Sequence, residues 1–142
     1  MNLCNWNHFF GSYDYHIVTE KDKSTSVLKE IYGTRISYLI NGTRRELFKY
    51  PFKFLLNFFK CLHIYFRIKP TYIVTTGAHT SVCTCYIGKL FGAKIIFIES
   101  FANIESKTLS GRMVYPISDL FIVQWKEMLK LYPKAIFGGG IY

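Results

Sequence analysis

Thr71-Tyr-Ile-Val-Thr-Thr76, Gly77-Ala-His-Thr80, Ser81 to Phe91, Gly92, and Lys94-Ile-Ile-Phe-Ile-Glu99-Ser100 read together as one βαβ unit. A short β-branched run stops at a glycine. A helix follows, with Thr80 or Ser81 as its N-cap and Gly92 as its C′ stop, and a second apolar run ends at Glu99. Ile95 to Ile98 is continuously apolar, not alternating, which is the pattern of a parallel strand covered on both faces. Ligands of open parallel sheets bind beyond the carboxyl ends of the strands. Those ends carry Thr75, Thr76, Gly77, His79 and Thr80 on one side and Glu99 and Ser100 on the other.

Working outward, 142 residues suffice for one domain with one core. Half the residues are apolar, which excludes a disordered chain, and thirteen Phe with eleven Tyr exceed what such a core uses. Some aromatics are therefore expected on a membrane or partner surface. The net charge of +9 is uneven: between residues 43 and 69, Arg44, Arg45, Lys49, Lys53, Lys60, Arg67 and Lys69 oppose only Glu46. That patch points to an anionic partner, lipid or nucleic acid. Cys4, Cys61, Cys83 and Cys85 form no Cys-x-x-Cys pair and read as free thiols. Asn41-Gly42-Thr43 is read as a turn, not as a glycosylation site.

Residues 1–12 carry no signal-peptide pattern and read as the remnant of a helix, or a linker, ending near Gly11. A strand is expected over Tyr13 to Thr19, a short helix capped by Ser24 or Ser26 running to Tyr32 and stopped by Gly33, and a strand over Arg35 to Ile40. The alternation of strands and helices implies a single parallel α/β domain over 13–142. Pro51 opens a helix to residue 68, roughly 26 Å long at about 1.5 Å per residue. Lys49, Lys53, Lys60 and Arg67 line one side of it, while Phe54, Phe58, Leu62 and Tyr65 project from the other; Leu56 falls on the basic side. Its longest uncharged stretch is far short of the ~20 residues that span a bilayer. A basic stripe opposite aromatics suits a helix lying on anionic lipid, and suits equally a crossover helix with its lysines in water. Beyond the central unit, a short helix over Lys107 to Tyr115, a strand over Leu120 to Val123, a helix over Lys126 to Tyr132 and a strand over Lys134 to Phe137 are expected. Gln124 and Trp125 join the same rim, and Gly138, Gly139 and Gly140 follow the last strand.

His79 precedes a helix N-terminus and has two readings, an anion or acceptor ligand and a histidine bonded to its own loop. Glu99 also has two: a general base on a sugar hydroxyl, or a carboxylate that caps its loop through backbone N–H groups. The second is favoured, because no other carboxylate, metal cluster or activated nucleophile accompanies it. Nucleotide-loop, zincin and nucleophile-elbow motifs are missing, and no metal or cofactor is implied. A nucleic-acid surface would interleave basic and aromatic residues on one face, whereas here they separate.

Ile73-Val-Thr-Thr-Gly-Ala-His-Thr-Ser81, Tyr86-Ile-Gly-Lys-Leu-Phe-Gly92, Ile96-Phe-Ile-Glu-Ser-Phe-Ala102, Leu120-Phe-Ile-Val-Gln-Trp125 and Tyr132-Pro-Lys-Ala-Ile136 resemble the PssD/CpsF family of bacterial polysaccharide biosynthesis proteins. That family is similar to the membrane-anchoring subunit of the dolichol-linked N-acetylglucosamine transferase and to the N-terminal half of MurG. The resemblance implies a Rossmann-like domain, the N-terminal, acceptor-side half of a split GT-B glycosyltransferase. It would work at the cytoplasmic face of the membrane in exopolysaccharide or capsule synthesis. A separate, small PssE/CpsG-like donor-domain partner would bind the nucleotide sugar. Carried over, Thr76, Gly77, His79, Thr80, Ser81 and Glu99 face a lipid-linked acceptor, with Glu99 the one catalytic candidate. Gln124, Trp125 and Gly138 to Gly140 face the partner or the cleft. Lys49, Lys53, Phe54, Phe58, Lys60 and Arg67 lie against the membrane. Family members begin with an apolar strand and a glycine-rich loop ending in Ser-Gly-Gly-His. Neither precedes Tyr13, so a truncated chain with an exposed sheet edge is expected.

Overall fold

A computed structural model describes residues 13–21, 25, 27–40, 50–78 and 80–140, with the side chains of 50–54 outside it. Two compact units divide the chain, 1–41 and 42–142. The first holds strand β1 (Ile17–Glu20), helix α1 (Leu28–Tyr32), a 3₁₀ turn over Gly33–Arg35 and strand β2 (Ile36–Leu39). β1 and β2 pair in parallel, Ile17 opposite Ile36 and Glu20 opposite Leu39. Gly33 ends α1 at a φ of +54°, as its position after Tyr32 predicts. Val27 stands at the N-cap of α1 with no side-chain hydrogen bond; Ser24 and Ser26, the expected caps, lie outside the described residues, as do Asn41 and Gly42.

In the second unit, helix α2 (Tyr50–Ile68) precedes strand β3 (Tyr72–Thr75), helix α3 (Ser81–Leu90), strand β4 (Lys94–Ile98), helix α4 (Leu109–Val114), strand β5 (Leu120–Val123), a 3₁₀ turn (Lys126–Lys130) and strand β6 (Ile136–Phe137). The four strands form one parallel sheet in the order β3-β4-β5-β6. This is the α/β architecture with parallel sheets that the sequence implies. The helix expected over Lys126 to Tyr132 is instead the 3₁₀ turn, because Met128 and Tyr132 both turn into the core within so short a segment.

The C-terminus of α3 closes as the glycine predicts. Gly92, at φ +91°, donates its N–H to Lys89 O, and Ala93 donates to Gly88 O, the paired bonds of a Schellman motif. The core lies between one face of the sheet and α3, α4 and the 3₁₀ turn. Ile95 and Phe97 of β4, Phe121 and Val123 of β5, Val82 and Cys85 of α3, Val114, Met128 and Tyr132 fill it. Phe97 stacks on Phe121 at 4.9 Å, and Phe121 meets Tyr132 at 4.5 Å. Each such ring contributes roughly 1.5–3 kcal/mol by burial.

The other face of the sheet departs from the expectation that both faces are covered. Ile96, Ile98, Leu120 and Ile122 are only half-buried there, and Tyr72 and Val74 are exposed.

α2 packs on α3, turning Asn57, Cys61 and Tyr65 inward. Tyr65 stacks on Phe91 at 5.3 Å and donates its hydroxyl to Phe91 O. Of the aromatic side expected opposite the lysines, Tyr65 packs inward and Phe58 is exposed, and among the described side chains of α2 Leu55, Leu56, Phe59 and Phe66 are exposed as well. α3 is consequently buried on two sides, which is why Cys83 and Cys85, two positions apart, are both buried.

Candidate functional site

Parallel pairing brings the carboxyl ends of β3, β4, β5 and β6 to one rim. After β3, the chain turns at Gly77, whose φ of +92° needs a residue without Cβ; a Cβ there would also crowd the Phe97 ring. Hydroxyls close this loop. Thr75 Oγ1 donates to Ser81 Oγ at 2.8 Å and accepts from Gly77 N–H, while Ser81 Oγ donates to Ala78 O. Thr76 is exposed, and Thr80 sits at the N-cap of α3 without a side-chain cap bond. His79 lies outside the described residues.

Glu99 follows β4 and is 1 % exposed. Its Oε1 accepts from Ser100 N–H at 2.9 Å and from Thr108 Oγ1 at 2.8 Å, and its Oε2 accepts from the Tyr132 hydroxyl at 2.8 Å. Thr108 in turn accepts from Gly111 N–H, capping α4. Burial, with the Glu99 carboxylate second, pushes the Tyr132 hydroxyl well above the ordinary phenol range. The carboxylate therefore lies beneath the rim, tying the loop 99–108 to α4 and to the core.

Gln124 is buried beside it and donates Nε2 to Glu99 O at 2.9 Å. Trp125 is half-buried. Its indole N–H donates to Phe101 O at 2.8 Å, and its ring meets that of Phe101 at 4.7 Å and 38°. Gly138 donates to Val123 O and so extends the β5–β6 pairing, Gly139 takes a φ of +70°, and Gly140 runs beside the Phe101 ring.

Of the residues singled out from sequence, the rim therefore brings together Thr76, Gly77, Thr80, Ser81, Glu99, Gln124, Trp125 and Gly138 to Gly140. The basic helix contributes elsewhere. Lys60, Arg67 and Phe58 are exposed on α2; Lys53 and Phe54 lie in its first turns, their side chains outside the described residues, and Lys49 precedes them outside too. Sequence reading missed Thr108, Gly111 and Tyr132 as members of the Glu99 cluster, and Phe101 as the ring facing Trp125. Only Phe101 left a signal, being the first apolar residue after the polar strand end Glu99-Ser100.

Among the described residues no group of three His, Cys, Asp or Glu could hold a metal, and no helix is long and apolar enough to cross a membrane. The rim offers hydroxyls, amides and aromatic rings, groups suited to holding a polar ligand in place.

The sequence profile described as "Oligosaccharide biosynthesis protein Alg14 like" matches residues 17–141. The UDP-N-acetylglucosamine transferase subunit ALG14 of Rattus norvegicus is 36% identical over 81 residues, 53% of this chain and 38% of the rat protein. The human protein of that name is 33% identical over the same shares. The Candida albicans protein is 40% identical over 77 residues, 50% of this chain and 35% of its own length. The chain thus spans well under half the length of the curated relatives it matches. Among solved structures, MurG of Acinetobacter baumannii superposes with a TM-score of 0.60 at 13% identity, over 76% of this chain and 32% of MurG. That likeness shows the fold: a Rossmann-like α/β domain akin to part of a GT-B enzyme. With the profile matching nearly the whole chain, this protein belongs to the Alg14-like family of oligosaccharide biosynthesis proteins.

Proposed function

We propose that this chain is the acceptor-binding, membrane-associating subunit of a two-component, inverting glycosyltransferase. It would help transfer a sugar from a nucleotide donor to a lipid-linked saccharide in exopolysaccharide or capsule synthesis. The observation that carries the reading is the rim at the strand ends, with its loop hydroxyls and the Phe101 and Trp125 rings, in a chain whose curated relatives are named subunits of UDP-N-acetylglucosamine transferase.

In this reading an acceptor hydroxyl attacks the anomeric carbon of the donor. The bond from that carbon to the diphosphate oxygen breaks, the nucleoside diphosphate leaves, and the hydroxyl proton passes to a base. Glu99 already accepts three hydrogen bonds beneath the rim, so its part is to hold the loop 99–108. The base and the groups that neutralise the diphosphate belong to a small, PssE/CpsG-like donor-domain partner, and Gln124, Trp125 and Gly138 to Gly140 face that partner or the cleft between the two subunits. The loop from Thr76 to Ser81, His79 included, faces the acceptor.

α2 supports peripheral attachment to a membrane, and this reading takes the cytoplasmic face. Its packed side is taken up by α3, yet Leu55, Leu56, Phe58, Phe59 and Phe66 remain exposed near Lys60, His63 and Arg67. Apolar side chains flanked by cations are what an interfacial helix on anionic lipid uses.

The test is recovery of partners with the tagged chain from its host's membrane extract, followed by assay of the recovered complex with nucleotide sugar and lipid-linked acceptor. A donor-domain protein and transfer by the pair support the proposal. Salt-sensitive retention on oligonucleotides, with none on anionic vesicles and no such partner, would replace it with a nucleic-acid-binding module.

A further inference from the structure

We propose that Phe101 and Trp125 form a stacking shelf for the pyranose ring of the acceptor sugar. The inference rests on the function proposed above and assigns the ligand of one part of that rim.

Four features point to it. The shelf stands where three strand ends meet: Phe101 follows β4, Trp125 follows β5, and Gly140 follows β6 alongside the Phe101 ring. It is held in place by hydrogen bonds of the neighbouring backbone. Glu99 N–H donates to Ile122 O, Glu99 O accepts from Gln124, Ser100 N–H is held by the Glu99 carboxylate, and Ala102 N–H donates to Ser100 Oγ. A ring fixed in this way loses little freedom on binding.

Phe101 is nevertheless 42 % exposed, with the tilted indole and Gly140 beside it. The polar atom of the pair is also used up, because Trp125 Nε1–H already donates to Phe101 O. What remains is hydrocarbon and π surface, which offers stacking and no hydrogen-bond readout.

The matching ligand has one apolar, ring-sized face and polar edges. A pyranose carrying axial C–H bonds on one side is such a group. Its hydroxyls would point outward from the rings, toward the backbone of Gly138 to Gly140.

The experiment is saturation-transfer difference NMR on the full chain in detergent micelles. The probe is octyl 2-acetamido-2-deoxy-β-glucopyranoside, with Phe101→Ala and Phe101→Tyr compared to the unaltered chain. The axial ring protons should receive the strongest saturation; Phe101→Ala should cut it about fivefold, and Phe101→Tyr should retain it. Saturation confined to the octyl chain, or equal in Phe101→Ala, overturns the shelf. Recovery of the donor-domain partner is measured in parallel for the unaltered chain and Phe101→Ala. Partner recovered by both with silent sugar protons sinks the shelf and leaves the proposed function standing. Partner lost only in Phe101→Ala makes Phe101 a protein contact and also overturns the shelf.

Discussion

Glu99 shows what a single residue decides here. A buried carboxylate is tolerated only when its oxygens are matched by donors, and this one has Ser100 N–H, Thr108 and Tyr132. Tyr132→Phe leaves one oxygen unmatched and should cost about 1.5–3 kcal/mol in urea unfolding at neutral pH, the range for hydrogen bonds to charged groups. The Tyr132 hydroxyl is raised by burial first and by Glu99 next, so the stability it adds is present below its unfolded value near pH 10. That stability is lost as pH rises through the higher folded value. The alkaline fall in stability should therefore be shallower in Tyr132→Phe; an unchanged slope would show that Tyr132 ionises freely in the folded chain. Gly111→Ala tests the same cluster by volume. Its Cβ would overlap the Glu99 carboxylate and lie 2.6 Å from the Tyr132 hydroxyl, and about 1–3 kcal/mol of destabilisation is expected. A carboxylate bonded to the next amide was legible in the sequence, since that bond is local. Tyr132 was not, because a contact across 33 residues leaves no trace in spacing.

At the scale of elements, the central βαβ unit was legible because each boundary has a local cause: Gly77 at a positive φ, and Gly92 closing a Schellman motif. The segment after Trp125 was misread as a helix. Its five residues give too few turns for periodicity to separate 3₁₀ from α, and packing of Met128 decides the outcome. α2 was legible in length but not in facing, since periodicity cannot say which apolar side meets α3. Cys61, whose Sγ accepts from Thr84 Oγ1, marks that contact, Cys83 is buried on α3, and Cys85 lies in the core against the sheet. Burial, ahead of the neighbouring Cys61 charge, pushes Cys83 up to about 11 and Cys85 up to about 12. With Cys4 replaced by Ser, these thiols should stay unmodified by Ellman's reagent at pH 8 in the native chain and react once it is unfolded. Rapid native labelling would mean that α2 detaches from α3. The outward side of α2 is tested separately. Each cation near an anionic surface is worth on the order of 1 kcal/mol, so Lys60→Ala with Arg67→Ala should weaken binding to phosphatidylglycerol vesicles about 30-fold at low salt. An unchanged partition coefficient would remove α2 from the membrane.

Among the described residues of the unit that carries the rim, the sheet is largely buried on one face and half-buried to exposed on the other. Parallel sheets are almost always covered on both. Here the register places Val74 beside Ile96, Ile96 beside Leu120, and Ile98 beside Ile122, which neighbours Ile136, so these residues form one apolar surface. Across it, exposure runs from half-buried on the inner strands to 59 % at Val74 and 57 % at Ile136. The opposite face holds Ile95, Phe97 and Val123 at no exposure. The continuous apolar run in β4 predicted two buried faces because sequence reports what a strand can bury, not what covers it. The two faces should respond oppositely to charge. Val123→Lys places an ammonium in the core and should prevent folding, as a buried unpaired charge costs several kcal/mol. Val74→Lys adds a solvated charge at the edge strand and should shift unfolding by less than about 0.5 kcal/mol. It should also lower self-association, because a lysine at a sheet edge opposes pairing with another copy. Sedimentation velocity on the unaltered chain and Val74→Lys, beside their melting curves, reads both quantities. A Val74→Lys chain that melts far lower, with unchanged association, would mean that this face is covered in the folded protein and carries stability of its own.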